Sequence, residues 1–107
     1  MKIKLTLTQL EALLVLLTVM IKAHKPKDMA AKLLHELVDS VADKVARKIK
    51  KATSSAKVEH SLTLTSVEAM ALHCWYSQRQ TWETNQAYKY ESIVTQDVVN
   101  RIDQEYA

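Results

Sequence analysis

Residues 2–7 (KIKLTL) and 58–64 (VEHSLTL) contain stretches, rich in leucine and β-branched residues, in which apolar and polar positions alternate. That period of two predicts a strand with one face buried at each place. Each stretch then passes into a longer segment of helical character. Thr8 stands three residues before Glu11 and Thr65 three before Glu68, the spacing at which a threonine oxygen and a glutamate satisfy each other's backbone amides at a helix start. The first helix of each half is therefore expected over residues 9–23 and 66–82. Asp28 and Asn85 are expected to cap two further helices, ending near Lys51 and Glu105.

The two halves resemble each other. LTLTQLEA at residues 5–12 returns as LTLTSVEA at residues 62–69, with six of eight positions identical at an offset of 57. At that offset Lys44 meets Arg101, and the stripe Leu33, Leu37, Val41, Val45, Ile49 falls on Tyr90, Val94, Val98, Ile102, Tyr106. Self-similarity at a fixed period is the signature of a repeat. The expected fold is mainly α with two short β-strands, a tandem strand-helix-helix repeat (β-α-α-β-α-α) with pseudo-twofold symmetry. Residues 1–51 and 58–107 form the two units of a single domain. The polar stretch ATSSAK at 52–57 connects them.

Composition narrows the chemistry. Of 107 residues none is glycine and one is proline, where average usage would supply roughly seven glycines. Phosphate-binding loops, dinucleotide turns and nucleophile elbows need glycine for close backbone approach or positive φ, so none is present in standard form. The one cysteine, Cys74, excludes an internal disulfide framework and points to a reducing, cytoplasmic compartment. The apolar run 12–21 has half the roughly 20 residues a bilayer span requires, so no membrane association is expected. The same pattern recurs in mid-chain, which makes the first copy structural rather than a targeting signal.

Charge is unevenly placed. Residues 1–57 carry 12 basic and 5 acidic groups, and residues 58–107 carry 3 and 7. Lys44, Arg47, Lys48, Lys50, Lys51 and Lys57 follow one another without an acid among them. Such a stretch suits the phosphates of a nucleic acid. It also complements the dipole of a helix C-terminus, the reading favoured in the absence of a recognition motif. Two i,i+4 pairs, Asp28 with Lys32 and Asp43 with Arg47, are expected to support the same helix.

The remaining candidates have plainer explanations. Five of six aromatic residues fall between Trp75 and Tyr90, and Trp75 and Trp82, seven apart, are expected on one face of a continuous helix. Packing is favoured over a ligand platform in a chain without phenylalanine. Cys74 aligns with Leu17 and reads as a buried, inert thiol rather than a metal ligand with His73. His35 and Asp39 supply only two ligands, and His24 and His60 fit no pattern with them. Glu11 and Glu68 read as helix caps, not as an acid-base pair. No catalytic residue, metal or cofactor is assigned.

The first helix is apolar on nearly every side, more than a 107-residue monomer easily hides. The expected function is a small non-enzymatic helical interaction module that self-associates, a homo-oligomer at the level of a dimer, with Leu13, Leu16, Val19, Met20, Trp75 and Trp82 at the interface with itself or a protein partner. The alternative is a nucleic-acid-binding accessory protein using the basic stretch 44–57.

Overall fold

A computed structural model describes residues 1–107. Its elements are β1 (Lys2–Thr6), α1 (Leu7–Ala23), α2 (Met29–Thr53), β2 (Glu59–Thr63), α3 (Ser66–Arg79), α4 (Trp82–Ala87) and α5 (Lys89–Tyr106). The mainly helical class and the two short strands are as expected. The number of helices is not, because the last expected helix is preceded by the separate short α4.

The strands pair with each other, antiparallel, with Lys2 opposite Thr63, Lys4 opposite Ser61 and Thr6 opposite Glu59. Their alternation is obeyed. Ile3, Leu5, His60 and Leu62 are buried, while Lys2, Lys4, Glu59 and Thr63 are exposed. Two strands alone are marginal in water and need cover on one face. Here the buried strand face joins helices from both halves in a single cluster of 21 buried residues, of which Leu13, Leu16, Val41, Leu72, Trp75 and Val98 have no exposed area.

Strand passes directly into helix in both halves, but at different threonines. In the first half the Thr6 hydroxyl accepts from the Gln9 amide at 3.2 Å, and the Gln9 side chain accepts from the Thr6 amide at 2.9 Å. Thr8 and Glu11, the expected pair, lie inside α1 and are exposed. In the second half Thr65 and Glu68 form the expected box, with bonds of 3.1 and 2.9 Å. The difference follows from what stands three residues on. The earlier threonine of the first half has Gln9 there, whereas Thr63 has Ser66, which is too short to reach back. Thr6→Ala is accordingly expected to cost about 1 kcal/mol and Thr8→Ala to stay within about 0.5 kcal/mol, measured by urea unfolding.

That two-residue difference shifts everything carried on α3. The buried positions of α1 and α3 coincide at an offset of 59: Ala12 with Ala71, Leu13 with Leu72, Leu16 with Trp75, Leu17 with Tyr76. The strands and the long helices keep 57, with Ile3 on His60, Val41 on Val98 and Val45 on Ile102. Two residues turn a helix by about 200°. At an offset of 59 Cys74 falls on exposed Val15 rather than on Leu17, and it is half-buried instead of part of the core.

The α1–α2 connection is as expected, and two later connections differ from expectation. α1 ends before His24, as the following Pro26 disfavours helical backbone ahead of it, and Asp28 caps α2 through a 2.8 Å bond from the Ala31 amide. α2 runs on to Thr53, so Ala52 belongs to the helix and the core, and the connection between halves begins only at Ser54. Asn85 caps nothing. It lies within α4, whose cap is Thr81, and α5 starts without a side-chain cap. No helix is long and apolar enough to cross a membrane.

Candidate nucleic-acid interface

The β-ribbon has two outer edges, and a basic side chain sits on each. At non-hydrogen-bonded positions of an antiparallel pair the carbonyls point away from the partner strand. Lys44 on α2 donates to the Thr63 carbonyl of β2 at 3.4 Å, and Arg101 on α5 donates to the Lys4 carbonyl of β1 at 3.1 Å. One outward carbonyl on each edge of the short sheet is thereby taken, which hinders pairing with further strands there.

Lys44 has a second task. Its ammonium meets the Glu68 carboxylate at 2.5 Å, and Glu68 also accepts from the Thr65 amide and from Ser40 at 3.5 Å. Glu68 is buried. Burial alone pushes its carboxyl up; the Lys44 bond and the two bonds with Thr65 outweigh that and hold it below its ordinary 4.5. One carboxylate thus ties α2, the end of β2 and the first turn of α3 together.

Beyond Lys44 the α2 cations are free. Arg47, Lys48 and Lys51 stand three, four and seven residues after it, the spacing of one helix face. With Ser61 and Thr63 they line a groove of about 300 Å³ between α2 and β2 that includes no acidic side chain. Arg47 and Lys51 are exposed and Lys48 is half-buried. Asp43 does not pair with Arg47, nor Asp28 with Lys32; the ion pairs present are Lys44 with Glu68, His73 with Asp103 and Arg101 with Asp97. Lys50 and Lys57 are exposed but lie outside the groove lining. Four of the six basic residues marked in the sequence therefore converge, and one of those four is neutralised.

The ribbon adds cations that the basic stretch does not contain. Lys2 and Lys4 project from the same sheet face as Thr63 and Ser61, their cross-strand partners, and are exposed. Their alternation with Ile3 and Leu5 marks them as outward-facing in the sequence. What joins them to α2 is the strand pairing, which brings residues about 40 positions apart in the chain onto one surface.

The expected self-association surface is largely absent from the exterior. Leu13, Leu16 and Trp75 have no exposed area and Met20 has 1%. All four are packed inside the chain's own core because α1 lies between α2 and α5 and shares its core with α3. Val19 is half-buried. Trp82 does not share a helix with Trp75: α3 ends at Arg79, and Trp82 opens α4 with 72% of its surface exposed. The aromatic group is thus divided, with Trp75 and Tyr76 inside and Trp82 and Tyr90 outside.

The other candidates separate as well. Glu11 is exposed on α1 while Glu68 is buried against Lys44, so the two carboxylates do not form a pair. His73 meets Asp103 at 3.1 Å at the surface, and Cys74 lies 3.2 Å from the Gln78 amide nitrogen. No group of three or more His, Cys, Asp or Glu side chains is arranged to hold a metal ion. The family models, curated proteins and solved structures compared with this chain provide no match to it.

Proposed function

We propose that this chain is a non-enzymatic nucleic-acid-binding module whose phosphate contacts are Arg47, Lys48 and Lys51. The observation that carries this reading is the groove itself: unpaired cations along one helix face, opposite strand hydroxyls, with no acid in the lining. Cations of that kind displace counterions from a phosphate backbone, and each contact contributes about 0.9 to the slope of log affinity against log salt. Anisotropy titration of a mixed-sequence DNA duplex is expected to show a steep salt dependence. The triple variant Arg47→Gln, Lys48→Gln, Lys51→Gln should flatten that slope by roughly 2.7. No salt-dependent affinity in the unaltered chain would sink the proposal.

Tandem duplication is part of the same reading. Its support is the matching burial of the two halves and a strand register whose central pair, Lys4 and Ser61, lies 57 residues apart. The halves have then diverged in charge, leaving the free cations on one side.

Self-association remains a second reading, resting on different residues from those first expected. Trp82 and Ile93 are 72% and 68% exposed. Sedimentation velocity over a range of concentrations decides it. A mass that rises with concentration and returns to monomer on Trp82→Ala supports an interface there, whereas a constant monomer removes it.

A further inference from the structure

We infer that the outer face of the β-ribbon enters the major groove of a DNA duplex while α2 lies against the adjoining phosphate backbone, so that the duplex is held on one side of the molecule only. The inference rests on the nucleic-acid reading above and names its partner and geometry.

Three observations carry it. The outer face of the ribbon is polar throughout its middle, with Lys2 beside Thr63 and Lys4 beside Ser61. Ser61 and Thr63 also line the α2 groove, so ribbon and helix form one continuous surface with five unpaired cations, Lys2, Lys4, Arg47, Lys48 and Lys51. Its charge is complementary to a polyanion, with Glu59 at the far end of the ribbon as the one acid on that sheet face.

The size also fits. Two strands lie about 4.8 Å apart, narrow enough with their side chains for a major groove about 12 Å wide, which admits a two-stranded ribbon. Lysine ammoniums and serine or threonine hydroxyls are groups that meet base edges there, lysine at guanine O6 and N7. A peptide strand is a poorer occupant, because the outward carbonyls of Thr63 and Lys4 are already taken by Lys44 and Arg101.

The other flank of the ribbon explains the one-sidedness. There α5 presents Arg101, which is paired with Asp97, and Glu105 four residues further on. Where α2 offers Arg47 and Lys48, α5 has Gln104 and Glu105 at the corresponding offset of 57. Phosphates are attracted to one flank and repelled from the other.

The test compares two short duplexes of identical mixed sequence, one plain and one with glucosylated 5-hydroxymethylcytosines, whose uncharged sugars fill the major groove. The unaltered chain is expected to bind the glucosylated duplex at least about tenfold more weakly, a loss of the size a few excluded base-edge contacts produce. The variant Lys2→Ala, Lys4→Ala, whose exposed side chains support no packing, should bind both duplexes within about twofold while keeping the salt dependence due to α2. A duplex RNA of the same sequence should bind more weakly than plain DNA, since the A-form major groove is too deep and narrow for side chains to read. Equal affinity of the unaltered chain for the plain and glucosylated duplexes, or preference for the RNA, would overturn groove entry and leave the phosphate reading standing. Absence of salt-dependent binding to any of them would overturn both.

Discussion

Leu16→Ala is expected to lower the unfolding free energy by about 2–5 kcal/mol at a urea midpoint that does not depend on protein concentration. Leu16 has no exposed area and lies in the cluster where the central helix meets its neighbours from both halves. Removing its branched end deletes buried apolar volume and leaves a cavity that the surrounding helices only partly close. Were α1 an interface between subunits, the same substitution would act on association, and the midpoint would rise with protein concentration. Val15, the next residue toward the N-terminus, is 43% exposed, so Val15→Ala should stay within about 0.5 kcal/mol apart from a small helix-propensity gain. Urea unfolding followed by circular dichroism at several concentrations checks both. A concentration-dependent midpoint for the unaltered chain would return α1 to the role of a subunit contact.

Glu68→Ala is the second large effect, expected at about 2–3 kcal/mol from a lost cap and a broken, largely buried ion pair. The figure sits below that for a fully buried pair because the Lys44 side chain retains 29% of its exposure and is rehydrated when its partner is removed. The loss acts at a junction: the Thr65 amide loses its acceptor, and α2 loses its hold on the start of α3. The pH dependence has a definite sign. Since the folded carboxyl lies below 4.5, its contribution is fully present above that value and is lost as pH falls through the folded one. The stability gap between the unaltered chain and Glu68→Gln should therefore be widest near neutral pH and close below pH 4.5. A gap that is constant across this range would show that Glu68 acts through shape alone.

Glu68 also marks how far the sequence could be read. Its part in the α3 cap was legible, because a threonine three residues before a glutamate is a local signal between neighbours in the chain. Its pairing with Lys44, 24 residues away, was not. The same division holds for the basic stretch. Spacing alone places Lys44, Arg47, Lys48 and Lys51 on one helix face, yet only the fold shows that Lys44 is consumed by a buried carboxylate while the others face a groove. The alternation of the first strand turns Lys2 and Lys4 outward, but a bare alternation does not say what lies beside that face.

The largest correction concerns α1, and its reason is topological. An all-round apolar helix is compatible with a subunit interface or with the centre of a core, and both have the same residue pattern. The choice is made by the number of helices that reach it, and here α2 and α5 pack on it while α3 shares its core. The difference between the two helix starts has a separate, local cause: Gln9 gives α1 a cap at Thr6, whereas α3 is capped at Thr65 by Glu68, two residues later along the matching stretch LTLT.

By itself the sequence determined the existence and type of the strands and main helices, the Asp28 and Thr65 caps, the outward positions of the first strand and the one-sided distribution of charge. These follow from composition, from periodicity or from contacts within about four residues. Tertiary structure alone decided the burial of Leu13, Leu16, Met20 and Trp75 in a shared core, the separation of Trp75 from Trp82, the neutralisation of Lys44, and the placing of Lys2 and Lys4 opposite Thr63 and Ser61, which line the α2 groove. Each of those depends on which distant surfaces pack together, a choice made by the burial of the whole chain rather than by any segment of it.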